Sequence, residues 1–178
     1  MYQRLNGRAC AAGSALLLFW PAWSTGRQET AQESISQEIS HALITVPFYT
    51  VFDYLGFRVE DGTVTLVGDV TRPAIRSDAE KAVMQAPGVR HVINQIEVLP
   101  TSATDGRIRL AEYLAVYGDY GLNQYQKRAV PPIHIIVKNG AVTLEGTVSN
   151  QADKQEAFTQ ASGVPGVVSL TNHLKIGT

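Results

Sequence analysis

From residue 55 the apolar positions alternate with polar or small ones. Leu55, Phe57 and Val59 are separated by Gly56, Arg58 and Glu60. A period of two predicts a half-buried strand. Asp61-Gly62 follows, the dipeptide whose left-handed backbone matches strand twist, and Val64, Leu66 and Val70 resume beyond it, so the segment predicts a β-hairpin. The period then changes. Ile75, Ala79, Ala82, Val83 and Ala86 recur at three and four, which predicts an amphipathic helix over 73–85 opened by Pro73. Pro87-Gly88 stops it, and Val92, Ile96 and Val98 at even spacing predict a last strand over 89–98. Upstream, Ile35, Ile39, Ala42 and Leu43 mark a helix over 33–44, ending ahead of Pro47.

The pattern is written twice. Residues 61–98 and 139–176 align at a constant offset of 78 without a gap, and 12 of the 38 positions are identical. The second copy has a strand over 133–137, Asn139-Gly140, then Val142, Leu144 and Val148. A helix over 151–162 carries Ala157, Phe158 and Ala161 on one face, and Pro165-Gly166 precedes a last strand over 167–176. Its first helix reads over 107–116, with Ile108, Ala111, Ala115 and one of Tyr113 or Leu114 inward. A period this long suits a small domain used twice rather than a solenoid. The expected class is α+β: two tandem αββαβ modules, each a small mixed three-stranded sheet with two helices packed on one face. Residues 33–99 and 107–178 form the modules, with polar linkers at 25–32 and 100–106. Gly62, Gly68, Gly88, Gly140, Gly146 and Gly166 recur in pairs as turn or close-approach devices. Asn94 and Asn172 recur inside the last strands, where asparagine is unusual, and each is expected to bond a nearby backbone group.

The first 24 residues follow a different rule. Arg4 and Arg8 precede an apolar run from Ala11 to Trp20, and small residues, Ala22 and Ser24, follow. This is the pattern of a cleavable secretory signal, with cleavage expected after Ser24; an uncleaved anchor is the alternative. Cys10 precedes the apolar run and is the chain's one cysteine, so the mature protein has no disulfide. Charge divides unevenly. Residues 31–100 carry 5 basic and 9 acidic side chains, net −4, whereas 101–178 carry 7 and 6, net +1. Neither balance is the basic footprint of a nucleic-acid binder.

No nucleophile elbow, phosphate loop or dinucleotide fingerprint is present, and His41, His91, His134 and His173 lack metal-ligand spacing. Catalytic, cofactor and metal residues are accordingly none. The motif DGTVTLVGDV, a helix, then PGVRHVINQIEV resembles the BON domain (bacterial osmotically inducible and nodulation). That resemblance implies an exported envelope protein without catalytic activity, whose partners are phospholipid headgroups or another envelope protein. A protein-interaction module of an envelope or secretion assembly is the alternative. The second copy departs from the motif over 117–132, where Tyr117, Tyr120 and Tyr125 precede Lys127 and Arg128. Tyrosines beside cations suit a membrane interface, so these five are the candidate lipid or partner contact. The competing expectation is that the tyrosines cover the edge of the core and the cations are simply solvated.

Overall fold

The computed structural model describes residues 25–118 and 121–177. The expected signal, its cleavage point after Ser24, Cys10 and Tyr120 lie outside the described residues. The first module runs α1 (Thr25–Ile44), β1 (Tyr54–Glu60), β2 (Thr63–Val70), α2 (Pro73–Met84), β3 (His91–Asn94) and β4 (Glu97–Val98). The second runs α3 (Ala103–Gly118), a 3-10 turn (Asn123–Lys127), β5 (Ile133–Lys138), β6 (Ala141–Val148), α4 (Gln151–Ser162), β7 (Ser169–Asn172) and β8 (Lys175–Ile176). Each is an α+β unit with an antiparallel hairpin, and the last strand pairs parallel to the hairpin's second strand. Val64, Leu66 and Val70 of β2 meet Ile39, Ile75 and Ala79 in one core; Val142, Leu144 and Val148 of β6 meet Ile108, Ala157 and Ala161 in the other.

The hairpin turns form as the dipeptides require: Asp61 and Gly62 have φ of 47° and 75°, Asn139 and Gly140 of 53° and 78°. All six recurring glycines have positive φ. At Gly68 and Gly146 the reason is also steric, because a Cβ would collide with the carbonyl oxygens of Tyr54 and Pro132 on the facing strand. Four features differ from expectation. Residues 25–32 are the first turns of α1 rather than a linker; they contain no proline, and Gln32 Nε2 donates to the Val59 carbonyl at 2.7 Å. The second linker is shorter than 100–106, because Ser102 Oγ accepts from the Asp105 N–H at 3.1 Å and α3 starts at Ala103. In α3 the inward line is Ile108, Glu112, Val116 and Tyr117, and Leu114 points out. Each last strand is broken in two. Asn94 Oδ1 accepts from the Ile96 N–H at 3.1 Å, and Asn172 Oδ1 from the Leu174 N–H at 3.0 Å, so the asparagine takes over the backbone donor where pairing lapses.

The modules are fastened by the loop between α1 and β1. Asp53 is fully buried and its carboxylate accepts four hydrogen bonds. The N–H and hydroxyl of Thr50 reach one oxygen at 3.0 and 2.7 Å, and those of Thr71 reach the other at 2.6 and 2.7 Å. The clamp fixes the loop so that Val51 enters the second module's core and the Val51 carbonyl accepts from the Ile135 N–H at 2.8 Å. Phe52 meets the edge of Tyr113 at 6.2 Å. As a result β5 is buried on both faces. Ile133, Ile135 and Val137 face their own core, and His134 and Ile136, which a solitary module would leave in water, are only 8% and 5% exposed. A Lys138–Glu97 ion pair at 2.5 Å also crosses the junction, at the surface, where it contributes little.

Val51→Ala is therefore expected to weaken the module it does not belong to. Removing two buried methyl groups costs about 2 kcal/mol. Amide exchange at Ile133, Ile135 and Val137 should accelerate, while Val64 and Leu66 keep their protection. Equal acceleration in both hairpins would contradict the cross-module insertion.

Candidate functional site

The five sequence-predicted contact residues separate. Tyr117 is 2% exposed, and its hydroxyl donates to the Ile133 carbonyl at 2.5 Å and accepts from the Ile133 N–H at 3.2 Å. Burial raises its pKa. Tyr125 is also buried; its hydroxyl accepts from the Ser149 N–H at 2.8 Å and donates to the Asp153 carboxylate. These two rings serve the core edge, and the surface contact expected of them does not hold in this conformation. Lys127 and Arg128 are exposed. Gln126 Nε2 donates to the Tyr113 hydroxyl at 2.7 Å, which ties the 3-10 turn and its two cations to α3.

The outer face of α3 carries two neighbouring exposed apolar side chains. Leu110 and Leu114, one turn apart, are 58% and 63% exposed, and Arg107 is exposed one turn before Leu110. Helical sequence spacing could have found this pair, since 110 and 114 fall off the Ile108 line. A second exposed apolar residue lies on the first module. Phe48 is 67% exposed with φ of 64°, an unusual backbone for an aromatic, and the Arg72 guanidinium lies 5.2 Å from its ring centre.

Between the modules, His134 lies 5.4 Å from the Tyr49 ring and 5.9 Å from the Tyr54 ring. Its Nδ1 is buried without a hydrogen-bond partner, and burial lowers its pKa. Beside it is a cavity of about 290 Å³, walled by Leu43, Tyr54, Leu55 and Phe57 of the first module and by Pro132 and His134 of the second. Among the described residues no three His, Cys, Asp or Glu side chains converge on a point where a metal could bind. No described helix is long and apolar enough to cross a membrane.

One buried acid is out of keeping with its position. Ile35 and Ile108 lie nearest the equivalent glycines Gly88 and Gly166, so the first helices align at an offset of 73. On that alignment Glu112 stands where the first module has the core residue Ile39. Glu112 is fully buried, and neither carboxyl oxygen has a partner. Burial pushes its pKa from 4.5 to about 7.

The arrangement defines a class first: a paired αββαβ module with an apolar, cation-flanked helix on its second half. The family model for the BON domain matches residues 57–100 and 122–178, more than half of the sequence. The chain belongs to the BON domain family. It is 30% identical over 124 residues to osmotically-inducible protein Y of Escherichia coli (strain K12). That match covers 68% of this chain and 61% of the relative, so the chain spans about three fifths of that protein's length. Two solved structures of CdsD, a structural protein of the Type III secretion system of Chlamydia trachomatis, align over 80% of this chain and 96% and 92% of theirs. Identities are 15% and 16% and TM-scores 0.28 and 0.29, too poor an overlap to bear on function.

Glu112 gives a signed pH dependence. The folded state keeps a proton that the unfolded chain loses near 4.5, so its contribution falls as pH rises from about 4.5 to about 7 and is level above. The full loss is on the order of 3 kcal/mol. His134 acts oppositely, costing stability when acid charges it in the unfolded chain. The difference between the protein and its Glu112→Gln variant isolates the carboxyl. The variant's melting temperature should gain on the wild type's between pH 5 and 8, and Glu112→Ile should raise it at pH 8 by several degrees. A constant gap between wild type and Glu112→Gln would refute the assignment.

Proposed function

We propose that this chain is a non-enzymatic, exported envelope protein that supports envelope integrity under osmotic stress by resting its second module on anionic phospholipid. Membership of the BON family and likeness to an osmotically-inducible protein support the general reading. The observation that carries the lipid contact is the outer face of α3: Leu110 and Leu114 in water, with Arg107 beside them and Lys127 and Arg128 on the adjoining turn. Two leucines entering the acyl boundary bring the neighbouring cations to the headgroup layer, and each cation near an anionic surface adds about 1 kcal/mol. The net charge of +1 on residues 101–178, against −4 on 31–100, orients that module toward the surface. A protein partner in an envelope assembly remains the second reading, favoured by the same apolar helix face.

Flotation with vesicles of phosphatidylglycerol and phosphatidylethanolamine tests it. The protein should co-float at low salt and release as salt rises. Leu110→Ser with Leu114→Ser, or Lys127→Glu with Arg128→Glu, should each lower the bound fraction about tenfold. Failure to float on anionic vesicles, with capture of an envelope protein abolished by the leucine pair, would shift the assignment to the protein partner.

A further inference from the structure

The cavity at the junction does not end at His134. A second cavity, of about 570 Å³, adjoins it, and both are lined by Arg128, Pro132 and Thr147. The two differ in character. The smaller is walled by Leu43, Leu55, Phe57 and the rings of Tyr49 and Tyr54. The larger is mixed, bordered by Tyr125, Ser149 and the exposed Arg128 together with Pro132, Val148 and Gly177. Arg128 has no carboxylate partner among the described residues, although it borders both cavities. Such a groove, apolar at one end, mixed at the other and cationic between them, matches the layout of an anionic amphiphile.

We propose that this inter-module groove binds a single-chain anionic phospholipid, with the phosphate at Arg128, the rest of the headgroup in the larger cavity and the first part of the acyl chain against Leu55, Phe57 and Tyr54. The larger cavity, at about 570 Å³, has room for a phosphate carrying an alcohol. The apolar part, at about 290 Å³, has room for one chain and not for two. Thr147, exposed and lining both cavities, lies at the neck. The proposal deepens the lipid reading and shares Arg128 with it, so Thr147→Trp, which touches the groove alone, and Leu110→Ser with Leu114→Ser, which touch the α3 face alone, tell the two apart.

The test is calorimetric titration of the purified protein with 1-lauroyl-lysophosphatidylglycerol below its critical micelle concentration. Saturable one-to-one binding is expected. Arg128→Glu should weaken it at least about tenfold, and Thr147→Trp, which fills the neck from an exposed position, should abolish it while vesicle flotation persists. Leu110→Ser with Leu114→Ser should lose flotation and keep lysolipid binding. Circular dichroism of each variant confirms that it is folded. Absence of saturable binding, or binding that survives both Arg128→Glu and Thr147→Trp, overturns the groove. Laurate binding as tightly as the lysolipid overturns the headgroup assignment.

Discussion

A fully buried carboxylate needs partners, and Asp53 has four of them. Two come from its own loop through Thr50 and two from the end of β2 through Thr71. An unsatisfied charge there would cost several kcal/mol, so the loop has essentially one conformation in which it can be buried. That conformation points Val51 away from its own module. The burial of β5 on both faces, the enclosure of His134 and the groove beside it all depend on this placement. Two BON modules on a short polar linker would otherwise be beads on a string. Here the first supplies part of the second's core.

The repeat conserves tasks more strictly than residues. Thr71 and Ser149 are equivalent at the offset of 78, and both backbone N–H groups need an acceptor at the end of the hairpin. In the first module the acceptor is Asp53; in the second it is the hydroxyl of Tyr125. The change of offset, from 73 in the first helices to 78 in the hairpins, means five extra residues between them in the second copy. Tyr125 lies in that longer connection. A tyrosine reaching in from a turn thus replaces an aspartate reaching in from the loop before β1, and the connection it occupies also carries Lys127 and Arg128 to the surface.

Local chemistry was legible in the sequence wherever one segment sufficed to determine it. Asp61-Gly62 and Asn139-Gly140 require a left-handed turn whatever surrounds them, so both hairpins follow from four residues and their flanking alternation. The asparagine role was also readable, because the backbone group it bonds is two residues away. What spans modules was not readable. His134 and Ile136 occupy the face of β5 that alternation assigns to solvent, and only the neighbouring module makes them buried. The tyrosines failed for a related reason. Composition places Tyr beside Lys equally well on a headgroup layer or along a core edge, and the choice is made by Ile133 and Ser149, whose backbone groups wait for a hydroxyl. Glu112 could not be read as buried, because periodicity counts glutamate as polar, and only the likeness to Ile39 in three dimensions reveals its position.

Rigidity and the proposed lipid recognition are linked through the same junction. A groove built from two modules binds a ligand well only when the modules do not have to be ordered by the ligand itself, since that ordering subtracts from affinity. The Asp53 clamp meets this cost during folding, before any ligand arrives. It holds Tyr54, Leu55 and Phe57 opposite Pro132 and Thr147 at a separation set by buried hydrogen bonds. The exposed leucines of α3 have no such requirement, because a bilayer adapts to whatever is presented to it. One surface can therefore be a simple amphipathic helix face, while the other needs a fixed relation between domains.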